Sequence, residues 1–234
     1  MNRHIFRMSY YQNVEQILKD GGIYAKNYRD QPQHSISYSN INNRRGSQYK
    51  TPEGELLHDY VPFYFSPITA MSYTIHRGNV PLMDPSGVDL GCANDEDVVF
   101  LVSRTESVQR ADLKFCFTNV ACNSQAPAPE YENDLSKLSN HIDWSLFDEV
   151  PKTATIDEID YSGVCRYFRD FDSPERYNNR STKRMAEFMV RDIFPVELLD
   201  CIVTKKKSIK SEIESWIRSE NLNLSVYQKT GCYF

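Results

Sequence analysis

An acid set in an apolar run is the first candidate for chemistry. Glu187 stands in RMAEFMV, between Ala186 and Phe188. Two readings fit it: the solvent-facing position of an edge strand, or a partly desolvated carboxylate that stabilises a developing positive charge or takes a proton. Arginines supply the complementary charge. Arg44 and Arg45 precede Gly46 in a long polar stretch, and such a pair reads as surface charge or as a planar fork on a pyrophosphate. Arg7 lies between Phe6 and Met8, so it needs an anionic partner or room to snorkel to water. In LHDYVPFYF, Tyr60, Phe63 and Tyr64 fall within five positions. They suit core packing, or, for a Tyr at the strand end, stacking on a flat heteroaromatic ligand such as nicotinamide or a base.

A basic run leads up to the acid. Arg166, Arg169, Arg176, Arg180, Lys183, Arg184 and Arg191 against Asp170, Asp172, Glu175 and Glu187 make residues 166–191 net +3, with Tyr161, Tyr167 and Tyr177 interleaved or adjacent. This alternation suits single-stranded nucleic acid, where phosphates meet Arg and bases stack on rings; a solvated loop has the same pattern. No Walker loop, GxGxxG, GxSxG or kinase signature is present, and with only 9 Gly a glycine-cradled phosphate site is not expected. The six Cys form no CxxC pair and the five His no HExxH, so no metal site is expected and the cysteines read as structural, cytosolic thiols.

The elements that must position these residues mix helices and strands without a βαβ rhythm. Ile5–Ser9 reads as an opening strand, and Asn13 as the cap of a helix ending at Gly21-Gly22. Residues 24–55 are polar without periodicity and read as a long loop. Tyr60–Phe65 is an aromatic strand, after which Pro67 starts a second helix. Asp97–Ser103 is the clearest buried strand; Leu113–Thr118, Leu198–Thr204 and Leu222–Tyr227 are further strands. Ala186–Val190 reads as a short strand or helix onset, and a weak helix lies near Asp134–Asn140. Ser208–Glu220 is an amphipathic helix with Ile209, Ile213, Trp216 and Ile217 inward, and GCYF forms a tail. The pattern predicts one α+β domain over residues 1–234, built on a strand-rich core.

Composition bounds the rest. The 234 residues carry 27 Lys+Arg and 32 Asp+Glu, net −5, which argues against a general nucleic-acid coat protein. The acidity is local, however: residues 84–97 contribute −5 and residues 130–160 contribute −7, leaving the remainder at +7. Both acidic segments read as solvated loops. The chain has 15 Tyr and 12 Phe beside 2 Trp. No apolar run approaches the roughly 20 residues of a membrane helix, and the N-terminus lacks a signal peptide's apolar stretch, so a cytoplasmic location is expected.

The pieces occur in an order that resembles the DarT family, the DNA ADP-ribosyltransferase toxins of DarT–DarG toxin–antitoxin systems. The likeness rests on FRMSYYQNVEQILKDGGI, LHDYVPFYFSPITAMSYTIHRG, EDVVFLVS, RMAEFMV and LNLSVYQKTGCYF. It implies an ADP-ribosyltransferase-like fold, a split mixed β-core with flanking helices that holds NAD in a cleft. It also implies transfer of ADP-ribose from NAD to a base in single-stranded DNA, with NAD as co-substrate, no metal, and a DarG-like macrodomain antitoxin as partner. By resemblance Glu187 is the catalytic acid and Arg44 the supporting loop arginine. Arg7, Ser9, Asn13, Tyr64 and Met71 become NAD contacts, and Arg166, Arg169, Arg176, Arg180, Lys183 and Arg184 become DNA contacts. The opening motif reads Arg7-Met8-Ser9 where many relatives have His-x-Thr, which favours guanine over thymine as the acceptor. Asn119, Val120 and Ala121 replace an Arg-His pair of relatives, a second departure that bears on base preference. Rival readings are an ADP-ribosyltransferase acting on RNA, protein or water, and a non-catalytic single-strand-binding module.

Overall fold

Alternation of side chains across each strand decides how the chain layers. The computed structural model describes residues 3–164 and 179–234. Strand β1 (His4–Tyr10) leads into helix α1 (Asn13–Lys19) and the short β2 (Gly22–Tyr24). Helix α2 (Ser39–Ser47) precedes β3 (Tyr60–Tyr64) and α3 (Ala70–His76). The paired β4 (Pro81–Met83) and β5 (Asp89–Cys92) are followed by β6 (Val98–Arg104), α4 (Thr105–Arg110), β7 (Phe115–Thr118) and β8 (Tyr131–Glu132). Helix α5 (Leu138–His141) and the paired β9 (Lys152–Ile156) and β10 (Tyr161–Val164) come next. Helix α6 (Arg180–Lys183), β11 (Glu187–Arg191), β12 (Ile193–Pro195), β13 (Cys201–Thr204), α7 (Lys207–Ser219) and β14 (Ser225–Gln228) complete the order.

Eight strands form one mixed sheet in the order β14-β13-β6-β1-β3-β11-β7-β8, with β13 and β14 parallel. This is the expected α+β class with a split mixed core. Ile5, Val99 and Leu101 pack to one face with α1 and α7, whereas Phe6, Val98, Phe100 and Val102 pack to the other with β9, β10 and Tyr233. Burial on both faces is why β6 reads as an unbroken apolar run. In α7, Ile209, Ile213 and Ile217 are buried and the half-buried Trp216 stacks on Tyr11.

Several sequence expectations are corrected. The 24–55 stretch is no uniform loop: α2 lies within it, and because none of its residues is buried it leaves no apolar period to read. Helix α3 begins at Ala70 rather than at Pro67, because Thr69 caps it, accepting the Ser72 N–H at 3.1 Å. Asn13 is not the cap of α1; Gln12 occupies that position. The GCYF segment is no free tail, since Cys232 and Tyr233 are buried. Cys92 is exposed and Cys116, Cys122, Cys201 and Cys232 are buried thiols; Cys165 lies outside the described residues.

The acidic segments are only partly the solvated loops expected: residues 85–92 are exposed, but several of the acids are matched to cations. Glu149 pairs with both Arg180 and Arg184, Asp143 with Lys183 at 2.9 Å, and Asp95 with His76 and Lys205. Arg180 and Arg184 are buried at 2% and 1% exposure, and Arg184 also donates to the Leu146 carbonyl through Nε and Nη2. In this structure both guanidiniums, expected from the sequence as DNA contacts, are enclosed by protein and matched to a carboxylate, and present no surface to a phosphate. Lys183 pairs with Asp143 but stays partly exposed. Arg166, Arg169 and Arg176 lie outside the described residues. Removing one member of a buried ion pair costs about 3–5 kcal/mol, so Arg184→Ala is expected to lower the unfolding midpoint by roughly 6–20 °C. Thermal unfolding followed by circular dichroism checks this, and an unchanged midpoint contradicts the buried role.

Candidate active site

The sheet opens between its two central strands. β1 pairs with β6 along all seven residues from His4 to Tyr10, but meets β3 only at Phe6 opposite Tyr64. A proline stands at the opening. The Pro62 carbonyl faces β1, where it accepts Arg7 Nη1–H at 3.2 Å, and proline has no N–H to offer beside it. A cavity of about 510 Å³ fills the gap, lined by Arg7–Tyr10 of β1, by Tyr60–Pro62 and Tyr64 of β3, and by residues of α2 and α3. That volume lies in the range of sites that enclose a ligand of cofactor size.

Glu187 is the first residue of β11, a central strand between β3 and β7. The edge-strand reading of this acid therefore fails; it is 1% exposed and lines the cavity. It shares its side of the strand with Met189, over a small cluster of Leu57, Tyr60, Cys116 and Cys122, while Phe188 and Val190 turn to the main core. Its carboxylate is held on two sides. Cys122 N–H donates to Oε1 at 3.2 Å, and Arg45 makes a two-point fork, Nη1 to Oε1 at 3.0 Å and Nη2 to Oε2 at 2.8 Å. Buried carboxylates persist in proteins when they are paired in this way.

The guanidinium at the site thus belongs to Arg45, not Arg44. Consecutive helical residues point about 100° apart, so only one of the pair can face the sheet. Arg45 lines the cavity, whereas the Arg44 guanidinium lies 5.7 Å from the centroid of the Tyr49 ring. The neighbouring glycine permits the approach of α2: a Cβ on Gly46 would meet His58 Nδ1 at 2.5 Å.

The site holds more positive than negative charge. Arg7 has no carboxylate partner, and its Nε–H is buried without an acceptor among the described residues; burial first, and then repulsion from Arg45, lowers it to about 10. Lys26 donates to Asn42 Oδ1 at 2.7 Å and is lowered to about 8, by loss of hydration and then by Arg7 and Arg45. His58 falls to about 4 through burial, Lys26 and Arg45, so it is neutral at physiological pH. Burial opposes the Arg45 charge, but the Glu187 carboxylate outweighs it and holds the guanidinium above its ordinary range. Burial and Glu187 together push the Tyr64 hydroxyl up, so it stays protonated. Glu187 balances Arg45 and leaves Arg7 and Lys26 uncompensated, the electrostatics of a pocket made for an anion.

Of the residues singled out in the sequence, Arg7, Ser9, Asn13, Tyr64, Met71 and Glu187 all line this cavity. Asn13 is already engaged there: its Oδ1 accepts His34 N–H at 2.7 Å and its Nδ2 donates to the His34 carbonyl at 2.9 Å. It clips the His34–Tyr38 wall to α1. The sequence reading missed Lys26, His58 and Asn123 as lining residues, and the resemblance chose Arg44 of the Arg44-Arg45 pair where Arg45 lines the cavity. The glycine after Arg45 was the one available signal for α2's close approach. Among the described residues no group of three His, Cys, Asp or Glu could hold a metal ion, and no helix is long and apolar enough to cross a membrane.

Comparison with known proteins gives a consistent result. A family model described as "ssDNA thymidine ADP-ribosyltransferase, DarT" matches residues 6–234. A "DNA ADP-ribosyl transferase" of Escherichia coli O127:H6 (strain E2348/69 / EPEC) is 29% identical over 233 residues, 98% of this chain and 93% of that protein. Among solved structures, Thermus sp. 2.9 DarT in complex with ADP-ribosylated ssDNA superposes with a TM-score of 0.76 at 25% identity, covering 99% of this chain and 96% of the other. The same protein in complex with NAD+ gives a TM-score of 0.73 at 23% identity, with coverage of 99% and 97%.

Proposed function

The chain belongs to the DarT family of NAD-dependent DNA ADP-ribosyltransferases, and on that premise we propose that the cavity between β1 and β3 binds NAD and that Glu187 and Arg45 carry the transfer of its ADP-ribose to a base in single-stranded DNA. The observation that carries this reading is the Arg45–Glu187 fork facing a pocket with uncompensated Arg7 and Lys26. A dinucleotide brings a pyrophosphate, and these two cations are its natural counter-charges. Tyr64, kept protonated, supplies an aromatic face for nicotinamide. Ser9 and Met71 also line the cavity.

Cleaving a glycosidic C–N bond builds positive charge on the ribose, as in glycoside hydrolysis. The Glu187 carboxylate lies where it can accept a ribose hydroxyl and face that charge, and Arg45 and the Cys122 N–H fix its plane beforehand. Oε1 already accepts from both Arg45 and Cys122, whereas Oε2 accepts from Arg45 alone and keeps a second lone pair for a substrate donor. Glu187 is also the nearest candidate to accept the proton that the acceptor nitrogen must lose. The dinucleotide contributes the nicotinamide leaving group, which departs with the bonding electron pair.

For the acceptor we favour guanine, on the Arg7-Met8-Ser9 sequence of β1; the family model's description favours thymidine. Incubation with NAD and four single-stranded oligonucleotides, each lacking one base, followed by mass spectrometry, decides between them. Guanine is the acceptor if only the guanine-free strand stays unlabelled. Nicotinamide release with no labelled strand overturns the DNA reading. A DarG-like macrodomain antitoxin and a toxin role complete the proposal, on the resemblance of the chain.

A further inference from the structure

Arg180, Arg184 and Lys183 are matched to acids, whereas the first fifty residues present basic and aromatic side chains of their own. Residues 24–51 carry Lys26, Arg29, Arg44, Arg45 and Lys50 against Asp30 alone, with Tyr24, Tyr28, Tyr38 and Tyr49 interspersed. Tyr24, at the end of β2, lines the cavity. Tyr28 stacks on it with ring centroids 6.0 Å apart and planes at 27°, yet stays 54% exposed. The Arg29 guanidinium lies 4.8 Å from the Tyr24 ring centroid and donates Nη1–H to the Tyr24 hydroxyl at 3.0 Å. Among the described residues Arg29 forms no ion pair. One side chain of this stack thus belongs to the cavity wall, and the other two lead out to solvent.

Resting on the function proposed above, we propose that Tyr28 and Arg29 form a docking surface for a nucleotide of the single strand that flanks the acceptor base. The exposed Tyr28 ring takes a base by stacking, and Arg29 takes its phosphate. Stacking tolerates any sequence because every base has a flat face, and a phosphate contact carries no sequence information. Position separates this surface from the dinucleotide site. Tyr28 does not line the cavity, where a dinucleotide is enclosed, whereas a polymer whose acceptor base enters the cavity must continue past its rim.

The test uses the full chain without NAD, a fluorescent single-stranded 12-mer, and anisotropy titrations at several salt concentrations. Tyr28→Ala is expected to weaken binding by about tenfold or more and Tyr28→Trp to retain it. Arg29→Ala is expected to weaken binding and to reduce the slope of log affinity against log salt by about 0.7. Affinity for NAD, titrated separately, stays within about twofold for all three. Loss of NAD affinity with DNA affinity intact assigns the stack to the dinucleotide and overturns the proposal. Unchanged affinity for both ligands in folded variants also overturns it. If wild type binds no single strand at all, the functional reading itself has failed, an outcome separate from any difference between variants.

Discussion

Glu187→Gln and Glu187→Ala are expected to lower ADP-ribose transfer to single-stranded DNA by at least about a hundredfold, read as mass-labelled oligonucleotide per unit time. The side chain is 1% exposed, lines the cavity at the opening of the sheet and has its plane fixed by Arg45 and Cys122. A preorganised group facing developing charge is worth about 2–4 kcal/mol in other enzymes, and a hundredfold corresponds to about 2.7 kcal/mol. Glutamine preserves size and one acceptor, so a loss equal to that of alanine isolates the charge as the working feature. The ion pair also bears on stability. With Arg45 left facing an absent partner, the alanine variant is expected to have a lower unfolding midpoint, softened because the cavity admits water to the guanidinium. Assays belong below that midpoint. Near-normal labelling by either variant removes Glu187 from the mechanism.

The second large effect separates two adjacent arginines. Arg45→Ala should lower transfer by about a hundredfold, whereas Arg44→Ala should stay within about threefold of wild type. The contrast follows from helical geometry: Arg45 forks onto Glu187, while Arg44 lies over Tyr49. Arg45→Lys should not restore activity, because an ammonium is a point charge and cannot span both carboxylate oxygens. Arg45→Ala also strands a buried carboxylate, at a cost of about 3–5 kcal/mol, so rates are compared on protein shown folded by circular dichroism. Equal losses at both positions, or the greater loss at Arg44, contradicts the placement of α2.

What the sequence made legible depended on how local the determining contacts were. Strand β6 and helix α7 announce themselves through their own periodicity, and the LHDYVPFYF block through its aromatic content. Glu187 was visible as an acid among apolar residues, but edge and centre give one pattern; only the flanking of β11 by β3 and β7 decides. Arg44 and Arg45 are indistinguishable by type, and the choice between them rests on the azimuth of a helix that has no buried residue to reveal its phase. Within the basic run, the burial of Arg180 and Arg184 was hidden for a different reason. Burial of Arg180 and Arg184 depends on Glu149, some thirty residues earlier, and composition cannot show that a charge found its partner within the fold.

The single pairing between β1 and β3 sets a mechanical tolerance. Arg7 and Ser9 ride on one half of the sheet; Tyr64 and Glu187 ride on the other, to which Lys26 and Arg45 are also tied through β2 against β12 and the fork onto Glu187. The spacing between Arg7 and Glu187 across the opening is thus gauged at one joint, the backbone pairing of Phe6 against Tyr64, with the Arg7 bond to the Pro62 carbonyl beside it. Reaction rates fall by about two orders of magnitude for misplacements near 1 Å. Side chains packed against that joint, Phe100 and Tyr161 on Phe6 among them, therefore act as shims: a change in their thickness would detune the gap without touching either ligand.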